Sequence, residues 1–237
     1  MTIAILTAMA EEGALYRDTC TVTDTVDCAS LTLHRATYAG HHLGLMQMGV
    51  GKVNAAMATQ VVLDRLDPDA VICTGTAGAL HDGLAVGDVV VADDCLQHDL
   101  RVDFLGLPPG QVPFTDLRIF ETDPALRAAA RAVTLPDRVV HSGRVLTGDT
   151  FVQDPATRRQ LHEELGGDCV EMEGAAVGQV CALNEVPFLL VRAISDRADG
   201  ESDIDFQDFL EDAAQASARI VLDLIARRDP DRGSESG

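Results

Sequence analysis

The stretch "TIAILTA", residues 2–8, is apolar at odd and even positions alike: Ile3 and Ile5 alternate with Ala4 and Leu6. A strand of this kind buries both of its faces, so it belongs inside a sheet covered by helices on both sides. The same reading extends outward. "AVICTG" (70–75) is a second buried strand, followed by a turn "TAGAL", and further strands fall at 87–94, 138–146 and 187–195. "SLTLHRATYAGHHLGLMQM" (30–48) alternates around a Gly-containing turn and reads as a hairpin. Helical spacing covers 52–66, which Pro68 ends, then 123–133, 154–165 behind an Asp-Pro start, a segment from about 171, and 205–228. Strands alternating with helices predict an α/β fold, a mixed central sheet in a three-layer α/β/α single domain over 1–228. Residues 229–237 read as a disordered tail.

The 237 residues carry a formal charge of −20, with Lys52 the only lysine. Such a field repels nucleic acid and anionic membranes. No 18-residue apolar run spans a bilayer, and the N-terminus lacks a basic region before its apolar stretch, so it reads as a first strand. Six cysteines stand at scattered positions with no CxxC spacing, the pattern of reduced thiols in a cytoplasmic protein and not of a zinc site.

Two glycine-rich turns invite a phosphate-binding reading. "GVGKV" (49–53) has Met46 where a P-loop needs its first glycine and Val53 where it needs Ser or Thr. A dinucleotide fingerprint needs a glycine where Asn54 stands. Both readings fail. "TGTAGAL" (74–80) admits either a close backbone approach to a ligand or a tight turn with positive φ.

Acids stand at three element ends: Glu11 and Glu12 after the first strand, Glu171 and Glu173 in "CVEMEG", and Asp196 after the strand 187–195. Ligands collect at the carboxyl ends of strands in open α/β sheets, so the three could share a pocket. Taken singly, each has a plainer reading: helix first-turn acids, an N-cap, or a partner for Arg192.

In order and at matching spacing from residue 2 to about 225, "AILTAMAEE", "MGVGKVNAA", "TGTAGAL…VGDVVVAD", "SGRVLTGDTFV", "VEMEGAAVGQVC" and "VPFLLVRAISDRAD…FQDFL" resemble the 5′-methylthioadenosine/S-adenosylhomocysteine nucleosidases of the purine nucleoside phosphorylase superfamily. The resemblance implies a twisted central sheet, a homodimer, a small nucleoside substrate, and no metal or organic cofactor. Cleaving an N-glycosidic bond puts positive charge on the ribose and negative charge on the base, and a catalyst must stabilise both. By resemblance Asp196 is the general acid at purine N7, its pKa raised for the task. Glu173 holds the ribose hydroxyls and the developing cation. Glu12 positions and activates water, with Thr76 and Arg192 nearby, and Glu171 has a supporting or ribose-side role. Phe151 stacks on the purine and the Val152 backbone reads its edge. Ala77, Gly78 and Ser195 line the substrate, Met172 packs under the ribose, and Met9 and Phe206 wall the 5′ side. Ordinary core packing is the competing reading for Met172 and Phe206.

An acid in "AMAEE" suits water better than phosphate, although Lys52 keeps a phosphorolytic reading open. The loop 98–113, "HDLRVDFLGLPPGQVP", keeps Val102 and Pro113 but departs from the family pattern elsewhere, with Arg101 in place of an acid. By resemblance this loop lies near the partner's pocket and shapes the 5′ site, and Arg101 would favour a carboxylate-bearing 5′ group. Thr76 stands where Ser is usual and Ala79 where Gly is usual. The expected activity is hydrolysis of methylthioadenosine, S-adenosylhomocysteine or 5′-deoxyadenosine. The alternatives are a phosphate-dependent phosphorylase, an aminodeoxyfutalosine hydrolase, and a noncatalytic nucleoside-binding domain.

Overall fold

The computed structural model describes residues 1–197 and 202–229, with the backbone alone over 202–208. β1 (Thr2–Thr7) behaves as its pattern predicts: Ile3 and Ile5 enter one apolar cluster, Ala4 and Leu6 the other. It pairs in parallel with β4 (His41–Gln47) on one side and β5 (Ala70–Ala79) on the other. Beyond β4 the sheet runs antiparallel through β3 (Leu31–Tyr38) to β2 (Thr21–Cys28). The expected hairpin is therefore the inner part of a three-stranded meander. β2, "TVTDTVDC", is an edge strand exposed along most of its length, and so lacks the buried apolar face that marks the others.

On the far side β5 pairs in parallel with β10 (Phe188–Asp196), and β10 runs antiparallel to β6 (Val89–Gln97). From β6 the path continues in parallel through β8 (Val140–Thr147) to the short β9 (Cys169–Glu171), which returns antiparallel to β5. These five strands close on themselves, while β7 (Phe120–Glu121) pairs with β6 outside the ring. Closure explains two departures from the expected elements. "TAGAL" is not a turn, because β5 continues through Ala79 to meet β9 and β10. The helix expected from about 171 starts at Gly174, because 169–171 is drawn into the sheet first.

α1 (Ala10–Thr19), α3 (Pro124–Arg131) and α6 (Ser202–Ala226) cover one face of the sheet. α2 (Lys52–Leu66) and α5 (Gly174–Leu183) cover the other. α4 (Pro155–Leu165) lays Leu161 and Leu165 on Leu80, Leu96 and Leu146 at the closed end. The Asp-Pro starts act as read: Asp123 accepts from the amides of Ala125 and Leu126, and Asp154 from that of Thr157. All six cysteines are buried and unbridged, and among the described residues no helix is long and apolar enough to cross a membrane. The expected tail falls, past Asp229, outside the described residues.

Candidate active site

The carboxyl ends of β1, β5 and β10 lie side by side, and β9 adds its own end from across the closed ring. Residues at or just past these strand ends line one cavity of about 250 Å³: Met9 and Glu12 after β1, Glu171 to Glu173 at β9, and Ser195 and Asp196 at the end of β10. Thr76, Ala77 and Gly78 form its wall from within β5, and Phe151 and Val50 close it from two loops. A larger cavity of about 540 Å³ lies between α1 and the β2–β3 hairpin. Its lining mixes Arg17, Thr32 and His34 with apolar Leu31, Leu45 and Met48 and holds no carboxylate, so the smaller cavity is the chemical one.

Glu12 is the third residue of α1, the position from which a Glu side chain reaches back to the helix start. Its Oε2 accepts from the amides of Ala8 (2.8 Å) and Met9 (3.1 Å). Oε1 accepts from the Thr76 amide (3.0 Å) and hydroxyl (3.2 Å). Burial raises its pKa above the ordinary carboxylate value, against the opposing pull of Arg192 and these backbone donors. Gly75 is what lets the carboxylate in. A Cβ there would stand 2.7 Å from Glu12 Cδ, 2.7 Å from Arg192 Nη1 and closer still to Glu12 Oε1. Gly75→Ala is therefore expected to displace Glu12 and lower kcat/KM about 100-fold. Steady-state kinetics on the folded variant check this, and a loss below threefold would refute it.

Arg192, fully buried in β10, divides the other two acids. Its Nε (3.1 Å) and Nη2 both donate to Glu171 Oε2, whereas Glu173 Oε2 lies 3.6 Å from Nη2. Glu171 is further engaged by the Thr147 hydroxyl and by the amides of Glu173 (3.1 Å) and Gly174 (2.7 Å). It anchors the start of α5 to the sheet. Glu173 accepts from the Gly51 amide (2.8 Å) at the N-terminus of α2. Burial, then the charge of Glu171, push its pKa up to about 8 despite Arg192 and the Gly51 amide. Among the described residues, Arg192 Nη1 is buried without a hydrogen bond on the side of Gly75 and Glu12.

Asp196 is buried, and Ser195 Oγ donates to its Oδ2 (2.9 Å). Val152 lines a small recess that shares Gly78, Phe151, Met172 and Asp196 with the main cavity. Thus Met9, Glu12, Thr76, Ala77, Gly78, Phe151, Glu171, Met172, Glu173, Ser195 and Asp196 come together, with Val152 adjoining and Arg192 behind. The side chain of Phe206 lies outside the described residues. Among the described residues, neither Val102 nor Pro113 lines this cavity. Arg101 is half-exposed and turned to Glu164 (3.7 Å), so the chain's own pocket gives no support to its selecting a carboxylate. Sequence reasoning missed Val50 and Thr147, and it reached Gly75 only as one of the glycines of "TGTAGAL" that permit a close approach. Val50 carried a signal in its place inside the "GVG" turn, and Thr147 carried none.

The sequence profile described as "Phosphorylase superfamily" matches residues 2–226. A 5′-methylthioadenosine/S-adenosylhomocysteine nucleosidase of Bacillus thuringiensis is 40% identical over 230 residues, 95% of this chain and 98% of that protein. The crystal structure of the Neisseria meningitidis nucleosidase of that name, in complex with methylthio-immucillin-A, superposes with a TM-score of 0.92 at 36% identity, covering 96% of this chain and 99% of that one. A Helicobacter pylori futalosine hydrolase mutant superposes with a TM-score of 0.91 at 29% identity, covering 96% and 100%.

Proposed function

This chain belongs to the phosphorylase superfamily and, within it, to the 5′-methylthioadenosine/S-adenosylhomocysteine nucleosidases, and from that premise we propose how its site hydrolyses the N-glycosidic bond of a 5′-thio-substituted adenosine. The observation that carries the reading is the convergence of Glu12, Glu173 and Asp196 on one cavity around a buried arginine. The purine stacks on Phe151 against the Val152 backbone, and the ribose hydroxyls meet Glu173. As the C1′–N9 bond breaks, Asp196 gives its proton to N7, so the base leaves neutral. Glu173 and Glu12 stabilise the ribosyl cation electrostatically. Water held between Glu12 Oε1 and Arg192 Nη1 adds to C1′ and passes its proton to Glu12. The products are adenine and the 5′-thioribose.

Lys52, which kept phosphorolysis open, is taken by Asp99 (2.7 Å) and Gln97 (3.1 Å), so no free ammonium is offered to phosphate. A futalosine-type substrate is the second reading, favoured by the likeness to futalosine hydrolase structures at 29% and 30% identity. The test is incubation with each thio-nucleoside in phosphate-free buffer, with adenine followed by chromatography. Adenine from either supports hydrolysis. Adenine only after phosphate is added replaces it with phosphorolysis, and none in either case sinks the reading.

The assembly we propose is a homodimer. Val53 on α2 and Leu183 on α5 are 80% and 64% exposed, and Phe104 on the loop 98–113 and Phe114 just beyond it are 87% and 94% exposed. Such large apolar groups mark an interface, and Val102 and Pro113 would then serve the partner's pocket. Sedimentation at the single-chain mass would remove this. Buried, unbridged thiols favour a cytoplasmic location; a disulfide in protein taken from its own cells would count against it.

A further inference from the structure

The lone lysine closes a ring of three residues from three separate segments. Its ammonium donates to Asp99 Oδ1 (2.7 Å), the Asp149 amide donates to Asp99 Oδ2 (2.9 Å), and the Lys52 amide donates to Asp149 Oδ1 (2.8 Å). Each member borders a working part of the site. Gly51, one residue before Lys52, gives its amide to Glu173 (2.8 Å). Asp149 is two residues before Phe151, and Asp99 is the second residue of the loop 98–113.

Gly51 makes the geometry possible. Its φ of +97° sends two successive amides to different carboxylates, and a Cβ there would stand 3.1 Å from Asp149 Oδ1. The lysine and aspartate side chains are 19% and 27% exposed, shielded enough for the pair to resist screening. Burial works against the Asp99 charge, but Lys52 and the Asp149 amide outweigh it and hold the pKa below the usual range. Lys52 Nζ also reaches Gln97, which donates to Gln179 of α5 (2.7 Å), so the ring is tied to the helix that Glu171 anchors.

We propose that Lys52, Asp99 and Asp149 are positioning residues: the ring they close sets the base-stacking loop, the ribose-facing Glu173 and the loop 98–113 as one unit before substrate arrives. This rests on the nucleosidase reading above for the parts it positions. It gives the only lysine a task other than binding an anion. A misplacement of about 1 Å costs on the order of 100-fold in rate, and breaking a closed ring twice adds little to breaking it once.

The test compares wild type with Lys52→Met, Lys52→Arg, Asp99→Asn and the double variant Lys52→Met/Asp99→Asn. Lys52→Met and Asp99→Asn are each expected to lower kcat/KM by about 10- to 100-fold, with kcat falling more than KM rises. The double variant stays within threefold of the worse single one, and Lys52→Arg recovers part of the loss. Hydrogen exchange is read in parallel: Lys52→Met speeds the amides of Gly51 and Asp149 together at least tenfold. Losses that multiply in the double variant, or single variants within twofold of wild type, overturn the ring. If Lys52→Met does not fold, Asp99→Asn, which keeps side-chain size, carries both readouts. An inactive wild type would sink the nucleosidase reading alone. The exchange data then decide the ring by themselves, and unchanged Gly51 and Asp149 amides would refute it.

Discussion

Asp196→Asn is expected to lower kcat for adenine release by about 1,000-fold while nucleoside binding stays within about tenfold, the range for removing a general acid. The asparagine amide fills the same space at the end of β10 and can still donate a hydrogen bond to purine N7. It has no proton to transfer. The leaving base then departs as an anion, and the hydrogen bond recovers only a fraction of what full protonation supplies. Ser195 holds the carboxyl in the wild type, donating to Oδ2 at 2.9 Å, and can still donate to the amide oxygen, so the side chain stays aimed. Single-turnover kinetics with either thio-nucleoside measure the chemical step. A variant within tenfold of wild type would show that proton delivery to the base comes from elsewhere.

What the sequence made legible and what it hid divide along physical lines. The two-sided apolar pattern of "TIAILTA" sufficed to place β1 inside a covered sheet, and its alternate residues enter two different cores. The same logic failed for β2, whose exposed edge position leaves no apolar face to detect. It also failed at "TAGAL", where small residues that look like a turn continue strand β5; directly before them, at Gly75, Glu12 and Arg192 occupy the space a Cβ would need. Strand-end position was enough to suggest that the acids share a pocket, but only resemblance gave each of them a role. Their spacing could not separate Glu171 from Glu173, since the division depends on Thr147 and Arg192, which come from two other strands. Lys52 was read as a possible anion ligand because its turn resembles one. Its partners are 47 and 97 residues away along the chain, and no local pattern reports them.

Glu173→Gln is expected to do two opposite things: lower kcat/KM by at least about 100-fold, and stabilise the empty protein at alkaline pH. The first effect comes from replacing a carboxyl that can meet the developing ribosyl cation as a carboxylate, by losing its proton once the cation forms beside it, with an amide that stays neutral at every pH. The second comes from proton linkage. Burial first, and then the neighbouring Glu171, raise the Glu173 pKa from 4.5 to about 8. Below pH 4.5 both folded and unfolded chains hold this proton and the group is neutral in its effect. Between about 4.5 and 8 the unfolded chain has released it while the folded chain retains it, so stability falls as pH rises. Above about 8 the full penalty is present, on the order of a few kcal/mol at about 1.4 kcal/mol per pKa unit. Glutamine does not titrate, and its amide oxygen can still accept from Gly51, so the variant avoids the penalty. Thermal melts from about pH 5 to 8.5 should show the variant's Tm rising relative to wild type across that window. A gap that does not change with pH would mean that Glu173 is ionised in the empty pocket throughout. In that case Arg192, although engaged by Glu171, would be neutralising both acids at once.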